Sequence, residues 1–158
     1  MTEDPLDHRE TPLDLQGFLD SVGQAAFDGD LATYLSLTER PYSIITADRT
    51  RVLETEDEMA AHLHRFRAGV LSQRLTQIVF ILRTINMISP TLATGTYVTH
   101  LMRNAERIVD PYTSLVILRH RDGAWRAVST IQTIGHADWN SRIQPQHSAA
   151  TPDRGSLT

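Results

Sequence analysis

Few side chains in this sequence have the chemistry to move a proton, and they are scattered. His100 lies in an alternating run in which Val98 and Met102 point the same way. An imidazole there could act as a general base or as a polar anchor; otherwise it is satisfied by a neighbouring hydroxyl or exposed on a sheet. Asp48 is the other candidate base, but Ala47-Asp48-Arg49-Thr50 is also ordinary turn chemistry, and the turn is the preferred reading. Tyr34, Tyr42 and Tyr97 offer hydroxyls beside apolar surface, and each is equally acceptable as a core aromatic whose hydroxyl finds water or backbone. Arg83 interrupts an apolar run, and Arg119 and Arg126 flank a hairpin. A guanidinium matches carboxylate geometry, yet arginines opposed across a hairpin repel in a dry place, so hydrated positions are expected for them.

Other groups exclude themselves. Glu54 precedes Glu56, Asp57 and Glu58 at a helix start, where the helix dipole favours acids whatever the function. His62 and His64 are two apart on a helix and cannot form the i, i+4 pair of a zinc site, so no metal and no cofactor are inferred. No serine has a G-x-S-x-G context. All fifteen basic residues are arginine. Without lysine there is no Schiff-base chemistry, no pyridoxal aldimine and no P-loop. Without cysteine there is no disulfide framework, thiol nucleophile or zinc-thiolate site. A net charge of -4 with scattered arginines gives no nucleic-acid footprint. No apolar run is long enough to span a bilayer, and the acidic start MTEDPLDHRE lacks the form of a signal peptide, so a cytoplasmic protein is expected.

The elements that must position these groups follow from periodicity. Residues 1–10 are polar and aperiodic and read as a flexible leader. Thr11 with Pro12 can start a helix bearing Leu15, Phe18, Leu19, Val22 and Ala26 that ends near Gly29. Asp30 then caps a short helix with Leu31, Tyr34 and Leu35, which Pro41 prevents from continuing. Residues 41–46 and 50–53 form a small hairpin around Asp48. Thr55 and Glu58 make a capping box for a third helix with a stripe of Met59, Leu63, Phe66 and Val70.

From Arg74 the period becomes that of strands. Residues 74–88 are apolar on both alternating sets, Ile78, Phe80, Leu82 and Ile88 against Val79, Ile81, Ile85 and Met87, which predicts a central strand covered on both faces. Residues 92–103 form the next strand, with Gly95 marking a bend or bulge, followed by strands over 112–121 and 125–134 joined at Asp122-Gly123. A two-residue turn sets Arg121 opposite Ala124, His120 opposite Trp125 and Arg119 opposite Arg126. One face then carries Val116, Leu118, His120, Trp125, Ala127, Ser129 and Ile131, and is the expected helix-facing side. The other carries Leu115, Ile117, Arg119, Arg126, Val128, Thr130 and Gln132. The polar residues 135–158 read as a tail, leaving one domain over 11–134.

Helix, short helix, hairpin, capped helix and four long antiparallel strands, with the D-G-x-W-R turn of Asp122 to Arg126, resemble the NTF2-like superfamily (SnoaL-like, cystatin-like α+β) over about Leu13 to Thr133. The resemblance implies an α+β cone, three N-terminal helices packed on a curved, mostly antiparallel sheet, with a small and mostly apolar ligand in its open end. It also implies a homodimer formed through the sheet. In such a cone Phe18, Tyr34, Tyr42, Tyr97 and Trp125 would meet the ligand, and His100 or Asp48 would be the base of a SnoaL-like isomerase, cyclase or hydratase. Enzymes of this superfamily commonly use strand carboxylates, whereas residues 74–103, 112–121 and 124–134 contain no Asp or Glu. The expectation is therefore a binding protein for a small apolar or amphipathic molecule. The enzyme, and an accessory subunit or protein-interaction module, are the alternatives.

Overall fold

The computed structural model describes residues 13–133. Three helices precede most of the sheet: α1 (Leu15–Asp28), α2 (Leu31–Ser36) and α3 (Glu56–Ser72). Seven strands follow or intervene: β1 (Thr38–Ile45), β2 (Thr50–Leu53), β3 (Gln77–Ser89), β4 (Leu92–Arg103), β5 (Glu106–Arg107), β6 (Tyr112–Arg121) and β7 (Ala124–Gln132). They form one curved, mixed sheet in the order β2-β1-β7-β6-β4-β3, with β5 on the end of β4. All pairs are antiparallel except β1 with β7. The expected α+β architecture, helices on one face of a curved sheet, is the one observed. The leader over 1–10, the tail over 135–158, and Thr11 and Pro12 lie outside the described residues. Among the described residues no helix is long and apolar enough to cross a membrane.

Local chemistry explains where the helices start and stop. The side chain of Asp14, not Thr11, caps α1 by accepting from the Gly17 backbone N–H at 3.0 Å, and the helix ends at Gly29 in the left-handed conformation (φ 73°). Asp30 caps α2, and the Thr55/Glu58 capping box is complete in α3. Pro41 does not end a helix; α2 has already stopped at Ser36, and Pro41 stands inside β1. The pairing of β1 with β7 skips from Thr38 to Ser43, and that with β2 begins at Tyr42, so neither ladder needs the N–H that proline lacks. Leu15, Leu19, Met59, Leu63, Phe66, Val70, Leu101 and Leu118 are buried where the helices meet the sheet. Gly95 is not a bulge. An added Cβ there would strike the side chain of Leu15, so glycine lets α1 sit directly on β4.

Two expectations about the sheet are corrected. β3 is an edge strand, not a central one. Its apolar residues Ile85, Met87 and Ile88 are 46%, 48% and 56% exposed, because only its first half lies under α1 and core packing. The faces also change over partway along two strands. Pairing of β3 with β4 skips Arg83, so Ile85 and Met87 join Phe80 and Leu82 on the helix-facing side. Pairing of β6 with β7 runs as expected from Arg121 opposite Ala124 to Leu118 opposite Ala127, then skips Val128. Beyond that bulge Thr130 and Gln132 turn inward, and Ile131, expected inside, lies 41% exposed on the outer face.

Candidate functional site

A chamber enclosing about 60 Å³ lies between the three helices and the concave face of the sheet. Helix α1 supplies Phe18, Leu19, Val22, Gly23 and Ala26, α2 supplies Tyr34, and α3 supplies His62, Leu63 and Phe66. The sheet supplies Tyr42, Phe80, Tyr97, Thr99, Val116, Ala127, Thr130 and Gln132. The cross-strand register explains this set. Leu82, Tyr97, Ser114 and Gln132 form one row across the inner face, and Gly95, Val116 and Thr130 the next.

The polar members pair with one another. The Tyr42 and Thr130 hydroxyls are hydrogen-bonded at 2.8 Å, and the Tyr97 phenol interacts with the Gln132 side chain. Burial pushes the Tyr34 phenol well above its ordinary range, with Tyr42 and Tyr97 adding to the effect, and burial likewise raises Tyr42 and Tyr97. All three therefore stay protonated and able to donate. His62 is buried on α3, and burial, helped by the nearby Arg51 and Arg65 charges, lowers its pKa from 6.5 to about 4. Its imidazole is neutral near pH 7, with one nitrogen donating and the other accepting.

Among the described residues no Asp, Glu, Lys or Arg lines the chamber. An imidazole that holds a proton only below about pH 4 is a weak base, since proton transfer works best with a pKa near the working pH. The described wall combines neutral hydrogen-bonding groups with apolar surface. Among the described residues no cluster of three or more His, Asp or Glu could hold a metal ion.

Of the residues singled out from sequence, Phe18, Tyr34, Tyr42 and Tyr97 come together in this wall. The others do not. His100 pairs with Val79 on the outer face, its side chain directed away from the chamber, because Tyr97, Thr99 and Leu101 take the inward positions of β4. Asp48 is exposed in the β1–β2 turn, where its carboxylate accepts from the Thr46 hydroxyl at 3.0 Å. Trp125 packs against the His120 ring, centroids 5.2 Å apart, toward the Asp122-Gly123 end of the sheet. Arg119 is committed to a carboxylate: it and Arg121 reach Glu39 Oε2 at 3.0 and 2.9 Å, which relieves the charge of Arg119 facing Arg126.

His62, Thr99, Thr130 and Gln132 were missed. A signal existed for His62, which lies three residues after Met59 and four before Phe66, within the buried stripe of α3. Thr130 and Gln132 were hidden by the Val128 bulge, for which an alternating V-S-T-I-Q segment shows no mark.

This geometry has counterparts among solved structures. An NTF2-like protein of unknown function from Shewanella oneidensis MR-1 matches with a TM-score of 0.57 at 17% identity, over 82% of this chain and 99% of the other. An NTF2-like protein with a cystatin-like fold from Novosphingobium aromaticivorans matches with a TM-score of 0.57 at 14% identity, over 82% and 83%. A ketosteroid isomerase-like protein from Erwinia carotovora atroseptica matches with a TM-score of 0.53 at 16% identity, over 75% and 92%. No family model and no curated protein matches the sequence. The protein has the NTF2-like, cystatin-like fold.

Proposed function

We propose that the protein binds a small, uncharged amphipathic molecule, with the chamber between helices and sheet as its recognition site. The observation that carries this reading is the make-up of the wall: apolar side chains interrupted by Tyr34, Tyr42, Tyr97, His62, Thr130 and Gln132, all of them neutral near pH 7. A charged ligand would lose its hydration without gaining an opposite charge there, and would be disfavoured by several kcal/mol. The lack of any lining carboxylate and the low basicity of His62 favour recognition over proton transfer. Mass spectrometry of the denatured protein after gentle purification tests the proposal. A neutral organic molecule released on unfolding is expected, and adding it back should raise the melting temperature. Tyr42→Phe should weaken its binding by about 1 kcal/mol through loss of one hydroxyl. Finding only ionised ligands, or no neutral compound that stabilises the fold, would refute it.

We also infer a homodimer built on the outer face of the sheet. Ile81, Val98, Leu115, Ile117 and Ile131 share that face by register, and Ile81 and Ile131 are 40% and 41% exposed. Sedimentation should report twice the chain mass of 17.8 kDa, reduced to one chain mass by Ile131→Arg. A monomeric wild type rejects the inference.

A further inference from the structure

Beside the chamber, between α1 and the start of β3, runs an open groove of about 260 Å³ whose lining includes Asp20, Gly23, Gln24, Gln77, Ile78 and Phe80. Gly23 and Phe80 also line the chamber, so the two spaces adjoin there, at an aromatic ring resting on a residue without a side chain. A Cβ at Gly23 would strike the Phe80 ring. On its other side the ring meets Tyr97 edge-on, with centroids 5.2 Å apart.

The backbone behind this ring is held. The Gln16 side chain donates to the Phe80 carbonyl and accepts from the Leu82 N–H, both at 2.9 Å, so that an amide from α1 takes the place of a partner strand. Phe80 can therefore open the partition only by turning its side chain, an event that does not require α1 to leave β3. The sizes make such opening necessary for anything of useful length. A dry cavity of about 150 Å³ accepts benzene, whereas the chamber alone encloses about 60 Å³.

We propose that Phe80 is the door between chamber and groove, and that the ligand is elongated, its apolar end passing the door into the chamber while a hydrogen-bond-donating head remains in the groove. The inference rests on the chamber being the binding site and adds the ligand's shape, its head group and its route. The head is assigned as an uncharged donor, an alcohol, because the groove offers the acceptor oxygens of Asp20, Gln24 and Gln77, and Asp20 is the one acidic or basic side chain among its described lining residues. A carboxylate head would face Asp20 with like charge.

The test uses the full chain with n-octanol and n-octanoate, reading affinity by titration calorimetry and exchange rates from NMR line shapes. Octanol is expected to bind at least tenfold more tightly than octanoate. Phe80→Ala should speed exchange tenfold or more. Gln24→Trp, at an exposed position, should fill the groove and weaken octanol binding about tenfold while leaving the fold intact, so the test stands even if Phe80→Ala does not fold. If octanol binds, and Val116→Trp inside the chamber abolishes binding, but neither Phe80→Ala nor Gln24→Trp changes rate or affinity by more than twofold, the door is overturned and the chamber reading survives. Octanoate binding as tightly as octanol overturns the assignment of the head group. If octanol does not bind the wild type, both readings fall.

Discussion

The two middle strands of the long antiparallel array, β4 and β6, alternate between the faces without interruption, whereas the strands flanking them skip residues, β3 at Arg83 and again at Ile88 near its end, β7 at Val128. The regular pair lays down the rows of the sheet. The bulged pair decides what stands at the ends of those rows. At one end the Val128 bulge puts Thr130 and Gln132, instead of Ile131, against Tyr42 and Tyr97, which makes the chamber's wall polar. At the other the Arg83 bulge carries Ile85 and Met87 to the inner side, but beyond the part of β3 packed against the core, so it changes no buried contact of comparable weight. A bulge matters in proportion to the burial of what it redirects.

The contrast can be broken most directly by replacing Thr130 with Val and Gln132 with Leu, which keeps the Val128 bulge but strips Tyr42 and Tyr97 of hydroxyl and amide partners. Two buried phenols without partners should cost about 4 kcal/mol, measured by urea denaturation, with loss of ligand binding. The wall facing the bulge gives the next largest effect, from His62. Unfolded, its imidazole titrates near 6.5; folded, near 4. Between those values the unfolded state holds more protons, so the stabilising contribution is complete above about pH 6.5 and is lost as the pH falls toward 4. From pH 7 to 4.5 the loss is about 2.5 kcal/mol, and His62→Gln should flatten that part of the stability curve relative to wild type.

On the outer face, Glu39→Gln removes the carboxylate shared by Arg119 and Arg121. Both arginines are more than one-third exposed, so with solvent screening the expected loss is about 1 kcal/mol, and it should shrink when stability is measured in high salt. The matching polar replacement beyond the Arg83 bulge, Ile85→Thr with Met87→Gln, should have the smallest effect, below about 1 kcal/mol, since both side chains are nearly half exposed. A loss there as large as that from replacing Thr130 and Gln132 would undo the rule drawn from the comparison.

The same contrast explains what could be read from sequence. The span of β4 and of β6, the register of the Asp122-Gly123 hairpin and the Thr55/Glu58 cap were legible, because each rests on neighbours in the chain or on unbroken alternation. The place of β3 in the sheet was not. Apolar residues on both of its faces show what the strand would bury, not whether this chain alone buries it, and pairing order depends on the distant contact of β1 with β7. The site was half legible for the same reason. Phe18, Tyr34, Tyr42 and Tyr97 sit where periodicity puts them, whereas Thr130 and Gln132 depend on a skipped residue with no local signature.

The Gln16 amide has a consequence for solubility. A strand of 13 residues paired on one side only, at the rim of a sheet, is a template on which other extended chains can add and aggregate. Here a helix side chain already occupies the hydrogen-bonding groups of Phe80 and Leu82, and the next residue, Arg83, is both charged and bulged. A strand arriving at this rim would have to displace a packed helix before it could extend the sheet, so the most exposed edge of the fold is guarded at its middle.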